Sequence, residues 1–341
     1  MTQPVKTTPI SEAKKPFLLG VDVGGTGIKV GLVDDLGRML AFESLPTLQA
    51  DGPRAAMQRV AAARARFGES LQLQPGDVAA AGLGAPGPMD IAAGTLVAPP
   101  QLPTWWNFNL RDCLGELTGL PVAFTNDANA AAFGEFWLGT GELAPSMVLL
   151  TLGTGVGGGI ISEGQLVGGV NSFAGEVGHL IVDPSADARL CAWGAGRGQL
   201  EAYASASAVA IRARQRLSEG AASALSRCGG ELTALQVYQA ALEDDALALE
   251  IIDEAGRWLG VAVTTIVHVL DPGVVAVGGA MTFGGEGCSV GRRFMAAIVE
   301  EFRQRTFDNV FAGTTIGFAK LGADAGYLGA AGYARQLYAA A

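Results

Sequence analysis

The chain has 341 residues, enough for two domains of about 100–200 residues each. Nearly half the residues are apolar and 16% are charged, which excludes an intrinsically disordered chain, and 49 glycines without a G-X-Y period exclude collagen. The net charge of −10 carries no Lys/Arg run, so no nucleic-acid partner is expected, and a phosphate ligand would have to be held locally.

The start, MTQPVKTTPISEAKK, is polar and lacks an apolar signal region. Residues 1–16 are expected as a disordered leader. No stretch reaches the roughly 18 apolar residues of a membrane span, so no membrane partner is expected. Four scattered cysteines, Cys113, Cys191, Cys228 and Cys288, form no CxxC and fit a reduced, cytoplasmic chain.

Residues 17–23 (FLLGVDV) read as a buried strand. The turn Gly24-Gly25-Thr26-Gly27, the strand IKVGLVD, a turn at Asp34–Gly37 and the strand RMLAFESL follow, a β-meander. A helix is expected over 53–67, opened by Pro53, and a strand over 77–84 that ends in Ala85-Pro86-Gly87-Pro88. PVAFTN (121–126) is a strand that runs into Asp127, where a helix starts. MVLLTL then leads through Gly153-Thr154-Gly155 and further glycines to a return strand. Helices are expected near 201–218, 233–243, 245–268 and 291–305, a strand at 273–279, and a closing helix from about Asp324.

VDVGGTGIKVGLVDDLGRM and LTLGTGVGGGIISEGQLVG align as strand, glycine turn, strand, turn, strand. This internal repeat predicts two copies of one domain type facing each other across a cleft. Read singly, each glycine turn is a plain hairpin. Read as a pair, each with a threonine (Thr26, Thr154), they are two N–H cradles for phosphate. Each turn leads into a strand, not a helix, which rules out a P-loop or a dinucleotide fingerprint. Asp22 ends the first strand, where its carboxylate suits Mg²⁺, and a buried Asp without a role would be costly.

Asp127 has two readings, a proton acceptor for a hydroxyl nucleophile or a helix N-cap. His179 is either a satisfied core histidine or part of a hydroxyl-binding set with Glu176 and Glu201. His268, in the apolar run TTIVHVL, reads as core.

DVGGTGIK, TNDANAAAFGE, LTLGTGVGGG, FAGEVGHL, LEAYASASA and VVAVGGA, in that order, resemble the ROK family, and within it the bacterial glucokinase-like sugar kinases. The resemblance implies an α/β fold of two actin-like (ribonuclease H-like) ATPase domains with an interdomain cleft, the smaller spanning 17–125 plus 325–341 and the larger 126–324. It implies ATP-dependent phosphorylation of a hexose, first of all glucose to glucose 6-phosphate, with Asp127 as general base. Asn126, Glu176, His179, Glu201 and the Gly87 backbone would bind the sugar. ATP and Mg²⁺ would lie on Asp22, Gly24, Gly25, Thr26, Gly153, Thr154, Gly155 and the adenosine-side turn Gly278-Gly279. Other members suggest N-acetylmannosamine, N-acetylglucosamine or fructose as acceptor, polyphosphate as donor, a non-catalytic sugar-binding role, and a homodimer. A repressor's helix-turn-helix module would need more than the about 16 residues before the first glycine hairpin, whose strand starts at Phe17. The family's zinc motif, C-x-C-G-x-x-G-C, is replaced by CAWGAGRGQLE. Only Cys191 remains, so no structural zinc is expected, and Trp193 is a candidate to hold the loop instead.

Overall fold

The computed structural model describes residues 7–142, 144–191, 194 and 196–340. The chain divides into two compact units, residues 1–142, 166–174 and 323–341 in the first and 143–165 and 175–322 in the second.

The first unit opens with β1 (Phe17–Val23), β2 (Gly27–Val33) and β3 (Met39–Pro46), followed by α1 (Gly52–Ser70) and β4 (Val78–Ala85). Three short strands, β5 (Met89–Asp90), β6 (Thr95–Leu96) and β7 (Phe108–Asn109), form a small separate sheet. Then come α2 (Leu110–Thr118), β8 (Val122–Asn126) and α3 (Asp127–Leu138). The main sheet has the order β3-β2-β1-β4-β8. β2 runs antiparallel to β1, whereas β4 and β8 run parallel to it. Strand alternation sends Phe17, Leu19, Val21 and Val23 into a core with Met57 and Val60 of α1.

The second unit repeats the arrangement with β9 (Met147–Leu152), β10 (Val156–Ser162), β11 (Gln165–Leu166), α4 (Glu201–Ala204), α5 (Ala206–Ser218), α6 (Ala234–Leu242), α7 (Ala246–Leu270), β12 (Val274–Gly279), α8 (Ser289–Arg305), α9 (Asp308–Gly313) and β13 (Thr315–Phe318). Its sheet order, β11-β10-β9-β12-β13, is the first unit's order position for position, and again the second strand of the unit, β10, runs antiparallel to the first, β9, while β12 and β13 run parallel to β9. The predicted duplication is therefore a duplication of topology. Val148, Leu150 and Leu152 of β9 pack with Val275 and Val277 of β12 and with Leu259 and Val263 of α7.

The closing helix α10 (Ala325–Ala340) returns to the first unit. It approaches the sheet at glycines. A Cβ on Gly20 would lie 1.9 Å from the Tyr327 carbonyl oxygen, and one on Gly82 would lie 1.7 Å from that of Ala330. It also meets α3 at a glycine, since a Cβ on Gly329 would lie 1.6 Å from the Ala130 carbonyl oxygen. This contact keeps α3 in the first unit, so the division falls after residue 142, not after residue 125.

Three other expectations change. Residues 7–15 are tied down rather than free, because Asp34, fully buried, draws a hydrogen bond from the Lys14 N–H at 3.0 Å, and the Thr8 N–H reaches the Met39 carbonyl at 2.7 Å. Residues 1–6 lie outside the described residues. The helix expected over 201–218 breaks at Ser205, whose side chain caps α5 through the Ala208 N–H at 3.0 Å. His268 is exposed on the outer side of α7, with Nε2 3.0 Å from Thr306 Oγ1. Trp193, the candidate to hold the loop, lies outside the described residues. Among the described residues no helix is long and apolar enough to cross a membrane.

Candidate active site

In the first unit the parallel strands β1, β4 and β8 end side by side. Asp22 pairs in register with Gly84, Gly84 with Thr125, and Ala85 with Asn126. The first glycine turn, the segment through Gly87, and Asn126-Asp127 therefore share the carboxyl edge of one sheet, where ligands of open α/β sheets bind.

The first turn is closed by the Gly24 N–H on the Gly27 carbonyl at 2.8 Å. Its acceptors are occupied. Thr47 Oγ1 donates to the Gly24 carbonyl at 2.7 Å, Gln49 Nε2 to the Gly25 carbonyl at 2.8 Å, and the Thr47 N–H to the Thr26 carbonyl at 3.0 Å. The N–H groups of Gly25 and Thr26 make no hydrogen bond among the described residues. A turn whose carbonyls are tied back and whose N–H groups are available has the polarity an anion needs.

Asp22 is half-buried and stands opposite Lys29. Burial pushes its carboxyl above the ordinary carboxylate value, and the Lys29 charge pulls it partly back. A Cβ on Gly326, at the start of α10, would lie 2.5 Å from Asp22 Oδ2, so glycine there makes room for the carboxylate. Lys29 Nζ donates to the Ala323 carbonyl. Among the described residues no group of three or more His, Cys, Asp or Glu side chains is placed to hold a metal. One oxygen donor beside a phosphate-shaped turn does fit Mg²⁺, which takes one or two carboxylates and completes its shell with phosphate oxygens and water.

Asn126 is the N-cap of α3, accepting the Asn129 N–H on Oδ1 at 2.6 Å. Asp127 is the first helical residue and is exposed. Its Oδ1 accepts the N–H of Ala128 at 2.8 Å. The capping role weighed for Asp127 thus belongs to its neighbour.

In the second unit the corresponding turn closes through the Gly153 N–H on the Gly155 carbonyl at 2.9 Å. Its carbonyls are also tied back, Gly153 by the Ala206 N–H at 2.9 Å and Thr154 by Ser207 Oγ at 2.8 Å. Gly278 and Gly279 end β12 beside Thr151 and Leu152. Gly279 has φ +90°, and a Cβ there would meet the Leu152 carbonyl oxygen at 2.3 Å. The two nucleotide-side segments expected in this unit therefore adjoin.

Glu176 precedes and His179 ends a single 3-10 turn, with Glu176 Oε2 3.9 Å from His179 Nε2. The Leu200 N–H donates to the Leu180 carbonyl at 2.9 Å, which brings the next residues out, His179 and Glu201, to one place. Both ends gather on Val156. Gly178 lies against the Val156 carbonyl, where a Cβ would be 2.1 Å from the oxygen, and Glu201 Oε2 accepts the Val156 N–H at 3.0 Å.

The loop between His179 and Glu201 is held by side chains that the sequence reading passed over. The Tyr203 hydroxyl donates to Asp183 and accepts the Arg189 N–H at 2.9 Å. The Arg189 guanidinium lies 4.6 Å from the Tyr203 ring centroid and pairs with Glu254, which also takes Arg212 Nε at 2.9 Å. Cys191 is buried, its Sγ 2.9 Å from Gln199 Oε1. Thr47, Gln49, Ser207 and Gly326 were likewise missed. Of these, only the Ser-x-Ser around 205–207, a helix-start pattern, left a signal in the sequence.

The sequence profile of the ROK family matches residues 18–337. The chain is 36% identical to the glucokinase of Halalkalibacterium halodurans over 94% of its own length and 95% of that protein. The solved ROK hexokinase of Thermus thermophilus superposes with a TM-score of 0.81 at 31% identity, covering 95% of this chain and all of that one. A ROK family glucokinase from Streptomyces griseus in complex with glucose and AMPPNP gives 0.73 at 34% identity, over 94% and 99% of the two chains.

Proposed function

The chain belongs to the ROK family, and we propose that it transfers the γ-phosphoryl group of ATP to glucose, giving glucose 6-phosphate and ADP. The observation that carries this reading is its likeness, over nearly its whole length, to a glucokinase solved with glucose and an ATP analogue.

Each residue has a part in the reaction. The N–H groups of Gly25 and Thr26 in the first turn, with the second turn at Gly153–Gly155, hold phosphate oxygens, and Gly278-Gly279 lies along the adenosine. Asp22 holds Mg²⁺, which offsets phosphate charge when bound. Glu176, His179, Glu201, the Asn126 amide and the Gly87 backbone are ligands to the sugar. Asp127 accepts the proton of the C6 hydroxyl as that oxygen bonds to the γ-phosphorus and the bond to the ADP oxygen breaks. The start of α3 favours negative charge at this position. Phosphoryl transfer asks the protein mainly for position and charge neutralisation, which backbone turns on two sheet edges supply. A homodimer of cytoplasmic chains belongs to the same reading.

The test is ADP release by the purified chain with ATP and a panel of glucose, fructose, N-acetylglucosamine and N-acetylmannosamine, repeated with polyphosphate as donor. Glucose with ATP is expected to give the highest kcat/KM. ADP release that ignores added sugar, or that follows another sugar of the panel, contradicts the reading.

A further inference from the structure

The two glycine turns are alike in sequence and fold but differ in the charge behind them. Against Gly25 of the first stand neutral groups. A Cβ on Gly25 would meet the Gln101 carbonyl oxygen at 3.2 Å and Gln49 Nε2 at 3.9 Å. Against the second stands a carboxylate. A Cβ on Gly155 would lie 2.1 Å from Glu201 Oε2 and 2.9 Å from its Cδ. Gly155 is not among the positive-φ glycines, so its backbone does not demand glycine. Glu201 demands it. Oε2 is engaged by the Val156 N–H at 3.0 Å, the first donor beyond the turn. Oε1 makes no hydrogen bond among the described residues.

We infer that Glu201 is a charge gate between the two substrates, binding sugar with one carboxylate oxygen and governing the second phosphate turn with the other. The inference rests on the proposed reading of this site as a sugar kinase. Without sugar, the Glu201 carboxylate lies against Gly155 and opposes a second anion at this turn. A sugar hydroxyl donating to Oε1 draws that charge away from the turn, and the turn then accepts the phosphates. Sugar and nucleotide bind cooperatively as a result, and by linkage each tightens the other by the same factor. ATP on its own is held poorly, which limits its hydrolysis by water.

Titration calorimetry of the full chain with AMPPNP and Mg²⁺, with and without saturating glucose, tests this. In the parent, glucose is expected to tighten AMPPNP binding by about tenfold, within the ordinary range of coupling between sites. Glu201→Gln keeps an oxygen for the Val156 N–H and removes the charge. It is expected to bind AMPPNP without glucose several-fold more tightly than the parent, with the glucose effect largely gone. Sugar-free affinity in Glu201→Gln equal to or weaker than the parent's overturns the gate while leaving the kinase reading in place. A parent whose AMPPNP affinity ignores bound glucose overturns the gate whether or not the variant folds. A parent that binds neither glucose nor AMPPNP overturns the kinase reading, and the gate falls with it.

Discussion

Asn126 Oδ1 accepts the backbone N–H of Asn129 at 2.6 Å, so Asn126 closes the first turn of α3 and Asp127 enters the helix behind it. Asn126 thus holds the helix start, which leaves the neighbouring carboxylate of Asp127 for the proposed proton transfer, a task the Asn126 amide could not perform. The remaining amide, Nδ2 of Asn126, is the group assigned to the sugar.

That division predicts a split between two substitutions of Asn126. Asn126→Asp keeps a capping oxygen, so stability should stay close to the parent's while glucose KM rises. Asn126→Ala should also raise KM, and should in addition lose about 1 kcal/mol of stability with the cap. Urea unfolding and initial-rate kinetics on both variants check this. Equal stability losses in the two would remove the capping role.

Asp22 gives a prediction with a defined sign. Burial raises its folded-state carboxyl value above the ordinary one, so between those two values the folded chain holds more protons than the unfolded one. Stability from this group therefore falls as pH rises through that window, and the deficit is fully present above it. Asp22→Asn should melt higher than the parent at neutral pH without ligands, by about 2 °C or more. The difference should close as pH drops below the ordinary aspartate value. Activity should fall sharply, and AMPPNP with Mg²⁺ should raise the melting temperature of the variant less than that of the parent. Melting scans at pH 7 and pH 3.5 provide the comparison.

The approach of α10 to the sheet predicts opposite signs for two Gly→Ala changes. At Gly82 the new methyl would meet the Ala330 carbonyl oxygen at 1.7 Å, a backbone clash that no rotamer relieves. A loss of about 3 kcal/mol or more is expected. Gly68 lies in α1 with nothing within 4 Å of a built Cβ, and Gly68→Ala should gain about 0.5–1 kcal/mol from helix propensity. Denaturation midpoints of both variants measure the pair.

Tyr203 ties the loop that leads from His179 to Glu201. Burial, and then the hydrogen bond to Asp183, push its hydroxyl up to about 12, so it stays protonated and donating across the neutral range. Tyr203→Phe removes that donor and the acceptor for the Arg189 N–H while keeping the ring on Trp258. Glucose KM should rise on the order of 3–10-fold, with kcat and ATP KM changed much less. An equal fall in kcat for a well-bound sugar would mean that the loop serves the chemical step instead.

Much of this architecture is written in local pattern. The aligned glycine turns announce two sheets of one topology because a hairpin turn is a short-range property, and both turns, Asp22 and Asp127 fall at strand ends that the apolar runs already define. What escaped is decided by contacts distant in the chain. α3 joins the first unit through Gly329 against Ala130, about 200 residues apart in sequence. Residues 7–15 look free as a polar string, yet the fully buried Asp34 takes the N–H of Lys14 among them. His268 looks like core within TTIVHVL, but the helical period turns it outward while Ile266 and Val267 go in. Thr47 and Gln49 hold the first turn from the end of a meander that gives no sign of it, because an ordinary polar residue carries its function only once folding has chosen its partner.

The central claim is that Asp127 takes the proton from a sugar hydroxyl during phosphoryl transfer, and Asp127→Asn tests it most directly. The asparagine keeps the shape and the helix start but cannot accept the proton. Steady-state ADP release with glucose and ATP, alongside calorimetric glucose binding, should show kcat reduced by about 10²–10⁴-fold with glucose affinity within a few-fold of the parent's. A variant that phosphorylates glucose at near the parental rate would assign the base to another group and contradict the account.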